Sequence, residues 1–226
     1  MPPTPYRIDL ARLSWRELFA ISSVAGLPAA IAIRLLGRPR PAGAPLFRID
    51  ASPAVDPARV PADVRETLAD PIARCERLGL AFRGWFTAPS SGADQGWGAA
   101  ASDDGGRVAA TVSHVSVQVA GIARRRTNVW FATKLADGRV LTTADRRPSF
   151  LPPPGYVPAG FPGLSIEDLL ARHRDRVARA GPPASIPPAG LEAERVRANN
   201  ALVDSLVARG IATTCEASSG RSSPAS

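Results

Sequence analysis

The chain has 226 residues, 45% of them hydrophobic, and a formal net charge of +8. These figures exclude a collagen-like or wholly disordered chain and allow one domain with a real core plus appendages. Of the 28 basic residues only Lys134 is a lysine, and the charge is spread along the chain. A dedicated nucleic-acid binder gathers such charge on one face or one helix, so nucleic acid is not the expected partner.

Near the N-terminus Ser14 and Glu17 spell an S-x-x-E capping box, the start of a helix. It leads into residues 18–33 (LFAISSVAGLPAAIAI), which carry no charge. As a helix this run spans roughly 24 Å against a hydrocarbon core of ~30 Å; a snorkelling Arg34 lengthens it to Gly37. Two readings stand: a membrane anchor that spans or lies on the bilayer, and a helix buried in a soluble domain. A cleaved signal peptide is disfavoured by Asp9 and Glu17 in its n-region. Arginines flank both ends of the run and leave orientation open. Residues 37–45 (GRPRPAGAP) read as a linker.

Residues 46–49 form a short strand, followed by a proline-studded stretch. Val64, Leu68, Ile72, Cys75 and Leu78 recur at helical spacing, with Pro71 dividing the helix and Gly79 stopping it. In residues 80–86 (LAFRGWF) strict alternation puts Leu80, Phe82 and Phe86 on one face and Arg83 and Trp85 on the other. Residues 87–96 make an exposed loop. Between 97 and 146 the corners Asp103-Asp104-Gly105-Gly106 and Ala136-Asp137-Gly138 close two hairpins, whose strands must be antiparallel. Val108, Ala110 and Val112 are out of phase with Val115, Val117 and Val119, which calls for a β-bulge at Ser113 or His114. Residues 147–164, rich in proline and glycine, form a packed connection. Ser165 caps a helix to about Ala180 with an apolar stripe of Ile166, Leu169, Leu170, His173 and Val177. A stiff linker (181–190), a last helix (191–209, with Val196, Val203, Leu206 and Val207 inward) and a polar, disordered tail complete the chain.

The fold class expected is α+β: a mainly antiparallel sheet of about five strands built from hairpins, with helices at about 61–78 and 166–180 on one face. Its divisions are an N-terminal apolar helix and linker (1–44), the α+β domain (45–180), a linker and C-terminal helix (181–212) and the tail (213–226).

Catalytic motifs are missing. The sequence contains no phosphate-binding glycine loop, G-x-S-x-G elbow, H-E-x-x-H or Cys-x-x-Cys, and Cys75 and Cys215 make no disulfide framework. No cofactor or metal site is implied, and an enzyme is the less favoured class. Six residues remain as ligand-binding candidates. His114 and His173 are the only histidines, and would serve a small enzyme or small-molecule binder with a pocket between helix and sheet. Arg124, Arg125 and Arg126 form the sharpest charge run, set in the connection between hairpins, and suit an anionic headgroup or phosphate. Trp85 flanks the exposed loop and offers an aromatic face. The leading expectation is a non-catalytic binding or accessory domain, either associated with a membrane or cytoplasmic, with a membrane surface as the partner considered. A small-molecule site at His114 or His173 and an anion or nucleic-acid site at Arg124–Arg126 are the alternatives.

Overall fold

The computed structural model describes residues 4–21, 31, 32, 35, 41–52, 54–88, 96–119 and 122–214. In chain order the elements are β1 (Thr4–Asp9), α1 (Trp15–Ile21), β2 (Pro41–Arg48), β3 (Ala54–Val55), α2 (Ala62–Arg77), β4 (Ala81–Ala88), β5 (Gly96–Ser102), β6 (Ala109–Val119), β7 (Ile122–Lys134), β8 (Val140–Ala144), β9 (Tyr156–Gly160), α3 (Ile166–Ala180), α4 (Leu191–Ala208) and β10 (Ala212–Thr214). The fold is α+β. A seven-stranded sheet runs β3-β4-β5-β6-β7-β8-β9, and a three-stranded antiparallel sheet runs β10-β1-β2.

The Asp/Gly corners reverse the chain as their chemistry demands. Asp103 Oδ1 accepts from the Arg107 and Val108 amides at 2.7 and 3.1 Å, and Gly106 turns with φ +61°. Asp137 Oδ1 accepts from the Arg139 amide at 3.0 Å, and Gly138 has φ +86°. Both glycines occupy the left-handed region that other residues adopt only with strain. The hairpins β5–β6 and β7–β8 follow, both antiparallel.

The expectation of about five antiparallel strands is corrected to seven in a mixed sheet. β3 and β9 were not foreseen at its edges. β9 contains Pro158 and pairs parallel with β8, Leu141 opposite Val157. Proline cannot donate to a ladder, but an edge strand needs only one paired side. The expected bulge in β6 is also absent: the register with β7 runs unbroken from Ala109↔Ala132 to Val119↔Ile122. The irregularity lies in β4 instead, where Arg83 is the extra residue between Phe82↔Ala101 and Gly84↔Ala100. Gly84 has φ +138°. This bulge turns Trp85 to the same side as Phe82, their rings edge-to-face at 5.7 Å, and leaves Phe86 on the opposite side. The alternation read for residues 80–86 is thereby broken.

On one face α2 and α3 bury Val64, Leu68, Leu169 and Leu170 against Val112, Val129 and Phe131. α2 runs through Pro71 without dividing. The carbonyl that loses its partner belongs to Thr67, which is exposed, so water can satisfy it. The other sheet face is covered too. Arg195 of α4 lies over the Phe86 ring at 4.2 Å, Glu194 pairs with Lys134 at 3.1 Å, and Ser102, Thr111, Ser113 and Asn128 are buried there. Within α4 Val203 and Leu206 are buried but Val207, expected inward, is exposed.

Phe86 fits because Gly98 lies beneath it. A Cβ at Gly98 would sit 2.3 Å from the ring. Gly98→Ala is therefore expected to lose about 1–3 kcal/mol in urea unfolding, since the ring is held from above by Arg195. An unchanged midpoint would mean that the ring has room to slide.

The small sheet joins the two ends of the described chain: Ile8 pairs with Ala212 and with Ala42. Its cluster of Ile8, Leu13, Leu18, Leu206, Ile211 and Ala212 is separate from the main core. Leu18, the first residue of the uncharged run, is thus packed on the body. Beyond Ile21 most of that run, residues 22–30, lies outside the described residues, as do positions 89–95 of the expected loop and 215–226 of the expected tail. Among the described residues no helix is long and apolar enough to cross a membrane.

Candidate functional site

The two histidines do not meet. His114 hydrogen-bonds Thr127 Oγ1 through Nδ1 at 3.2 Å. His173 reaches Thr133, six residues further along β7 and roughly 20 Å away at ~3.3 Å per residue. Among the described residues no cluster of His, Cys, Asp and Glu could hold a metal ion.

His173 is fully buried between α3 and the sheet, and its proton positions can be deduced. Thr133 donates its hydroxyl to the Arg107 carbonyl at 2.8 Å, so it accepts from His173 Nε2–H at 2.9 Å. Nδ1 is then bare and accepts from the Thr143 hydroxyl at 2.9 Å. Thr143 in turn accepts from Arg176 Nη1 at 2.7 Å. Each donor has one acceptor, and a second imidazole proton would have nowhere to go. Burial, reinforced by the Arg176 and Arg174 charges, lowers the pKa to about 4. This imidazole is a neutral strut between helix and sheet. Trp85 is likewise committed to the main core, packed with Phe82 and Ala99.

The three arginines lie within strand β7, not in a connection between hairpins as expected. Arg126, Arg125 and Arg124 pair with Val115, Ser116 and Val117. The reason is the length of the hairpin. β5 stops pairing with β6 at His114, and β8 stops pairing with β7 at Trp130. From Val115 and Arg126 outward β6 and β7 are paired only with each other among the described residues. This two-stranded ribbon of five pairs extends for roughly 15 Å.

Charge is ordered along the ribbon. The two outermost pairs, Val119↔Ile122 and Gln118↔Ala123, have no charge, and each of the next three contains an arginine. Arg125, on the α2 side, is bridged to Asp63 at 3.1 Å, and both remain exposed. Arg126 is exposed and close enough to Arg146 for their charges to repel. Arg146 and Arg147, both exposed, follow β8 and pass tightly over Gly160, where a Cβ would meet the Arg146 carbonyl at 2.1 Å. The fold therefore adds Arg146 to the run read from sequence. Arg124, Arg125, Arg126 and Arg146 against Asp63 and Asp145 leave +2 along this stretch. Asp145 is tied to β7 by its own backbone bond to Val129 and by Oδ2, which accepts from the Val129 amide at 3.0 Å.

A second organised region surrounds α1. The capping box forms as read: the Ser14 amide donates to Glu17 Oε2 at 3.0 Å and the Glu17 amide to Ser14 Oγ at 3.3 Å. Glu17 also accepts both guanidinium nitrogens of Arg209, at 2.7 and 2.6 Å, and the Leu151 amide at 2.8 Å. Burial pushes its pKa up, but the hydrogen bonds from Arg209, Leu151 and Ser14 outweigh it and hold the carboxyl at about 2.

No protein-family model, curated protein or solved structure matches the chain, so any functional assignment rests on these geometries.

Proposed function

We propose that this chain is a non-catalytic binding domain that docks on an anionic membrane surface through the β6–β7 ribbon. The order of residues along the ribbon supports this reading: an uncharged, mostly apolar outer end (the pairs Val119↔Ile122 and Gln118↔Ala123) followed by a basic base. An apolar tip gains by entering the headgroup and acyl boundary, and arginines behind it then lie level with lipid phosphates. A nucleic-acid arm would instead gain from charge or polar groups at its far end, where phosphates and base edges must be reached. The pairing of β6 with β7 satisfies the inward-facing backbone groups of the ribbon, and its two open edges suit the hydrated headgroup zone rather than the hydrocarbon core.

Flotation with vesicles of phosphatidylcholine, with and without phosphatidylserine, tests the proposal. The protein should float with the anionic vesicles and be released as salt rises. Arg124→Ala with Arg126→Ala should weaken binding by about 2 kcal/mol, roughly 30-fold, at about 1 kcal/mol per arginine near the surface; Arg125, bridged to Asp63, should matter less. Equal flotation with neutral vesicles and no effect of the arginine changes would overturn it. So would salt-sensitive binding to duplex DNA with no binding to vesicles.

A further inference from the structure

We infer that α1 is a second lipid-contacting element, presenting Trp15 and Phe19 to the interface of an anionic bilayer. The inference rests on the membrane reading above for its partner, but on separate observations. α1 has two apolar sides. Its inner side is fixed: Leu18 is fully buried against Leu206 and Ile211, and Glu17 is clamped to Arg209 and the Leu151 amide. The helix cannot roll to bury its other side without breaking that clamp. Trp15 and Phe19, one turn apart, consequently remain 43% and 51% exposed, their ring centroids 6.1 Å apart. Leu35, also helical, is 73% exposed.

The charges around this pair select the occupant. Arg7, Arg12 and Arg16 are exposed. Of the acids in this segment, Asp9 is paired with Arg12 at 3.4 Å and accepts from the Ala11 amide, and Glu17 is neutralised by Arg209, so the excess is the +2 of Arg7 and Arg16. The surface is therefore aromatic and cationic. A two-fold contact with a second copy would set these arginines against their own images. An anionic bilayer meets them with opposite charge, and its interface is where amphipathic indoles and arginine-flanked helices settle.

The test uses the full chain with phosphatidylserine-containing vesicles. Shallowly brominated lipids should quench a component of the fluorescence that Trp15→Phe removes. Trp15→Ala with Phe19→Ala should weaken flotation about tenfold, scored on protein that a urea transition shows to be folded. Arg124→Ala with Arg126→Ala should retain the Trp15 quenching at saturating lipid. Unchanged flotation of the aromatic variant together with no Trp15 quenching overturns the role of α1 and leaves the ribbon reading standing. Loss confined to the aromatic variant overturns the ribbon reading and supports α1. A concentration-dependent dimer in sedimentation velocity that the aromatic changes abolish would assign the face to a second copy and overturn the inference.

Discussion

Glu17→Ala is expected to destabilise the protein by about 3–5 kcal/mol, the range for breaking a buried ion pair from one side. The alanine would strand the Arg209 guanidinium, the Leu151 amide and the Ser14 amide, all of which converge on this carboxylate. Folded domains hold only about 5–15 kcal/mol in total, so the loss should be plain in urea unfolding at pH 7. The pH dependence follows from the direction of the shift. A carboxyl held at about 2, against an ordinary 4.5, contributes stability that is complete above pH 4.5 and disappears as pH falls through 2. The amount is about 3 kcal/mol. Glu17→Gln should remove this acid-sensitive portion while keeping the side-chain shape. If the glutamine variant unfolds in acid along the same curve as the parent, the clamp does not carry the charge assigned to it.

His173→Ala should cost about 3 kcal/mol, through a cavity between α3 and the sheet and a Thr143 hydroxyl left without an acceptor. Here the pH window is different. A histidine whose pKa drops from 6.5 to about 4 on folding stays neutral in the native state while the unfolded chain takes up a proton. Stability is unaffected above pH 6.5 and falls by about 3 kcal/mol as pH drops from 6.5 to 4. Unfolding free energies measured across that interval should decline in the parent and be flatter by this amount in His173→Ala. A parent curve that is level between pH 6.5 and 4 would show that the imidazole does take a second proton, contrary to the proton positions deduced from Thr133, Thr143 and Arg176. His173→Ala touches neither the ribbon nor α1, so vesicle flotation of the folded protein should be preserved in it, whereas Glu17→Ala releases the clamp that orients α1.

Local chemistry was legible in the residues. The Asp103 and Asp137 corners, the Ser14–Glu17 box, the Ser165 cap and the apolar stripe of α3 each depend on groups within a few residues of one another. Such features form wherever the chain goes next, so spacing alone identifies them. The same holds for the antiparallel sense of the two hairpins. The sequence reading failed where a neighbour distant in the chain decided the outcome. Thr111 and Ser113 are polar, yet they are buried on the sheet face over which α4 lies. The valine phases in β6 suggested a bulge because both sets were sought on one sheet face; the second set, Val115, Val117 and Val119, instead lies beyond the last β5 pair and keeps an unbroken register with β7. Proline in 156–160 argued against a strand, until β8 supplied a partner on one side only.

By itself the sequence determined that a hairpin-built sheet is shielded by capped helices, and it placed three consecutive arginines beside an uncharged valine-rich stretch. Only the tertiary structure decided that those arginines stand on the part of β6–β7 that extends beyond the last β5 and β8 pairs among the described residues, that Arg146 comes close to Arg126, and that Glu17 meets Arg209 across 192 positions of chain. The physical reason is range. Turns and caps are closed by bonds between residues already adjacent, whereas a protruding ribbon or a buried ion pair exists only because other strands end, or other helices arrive, at a particular place.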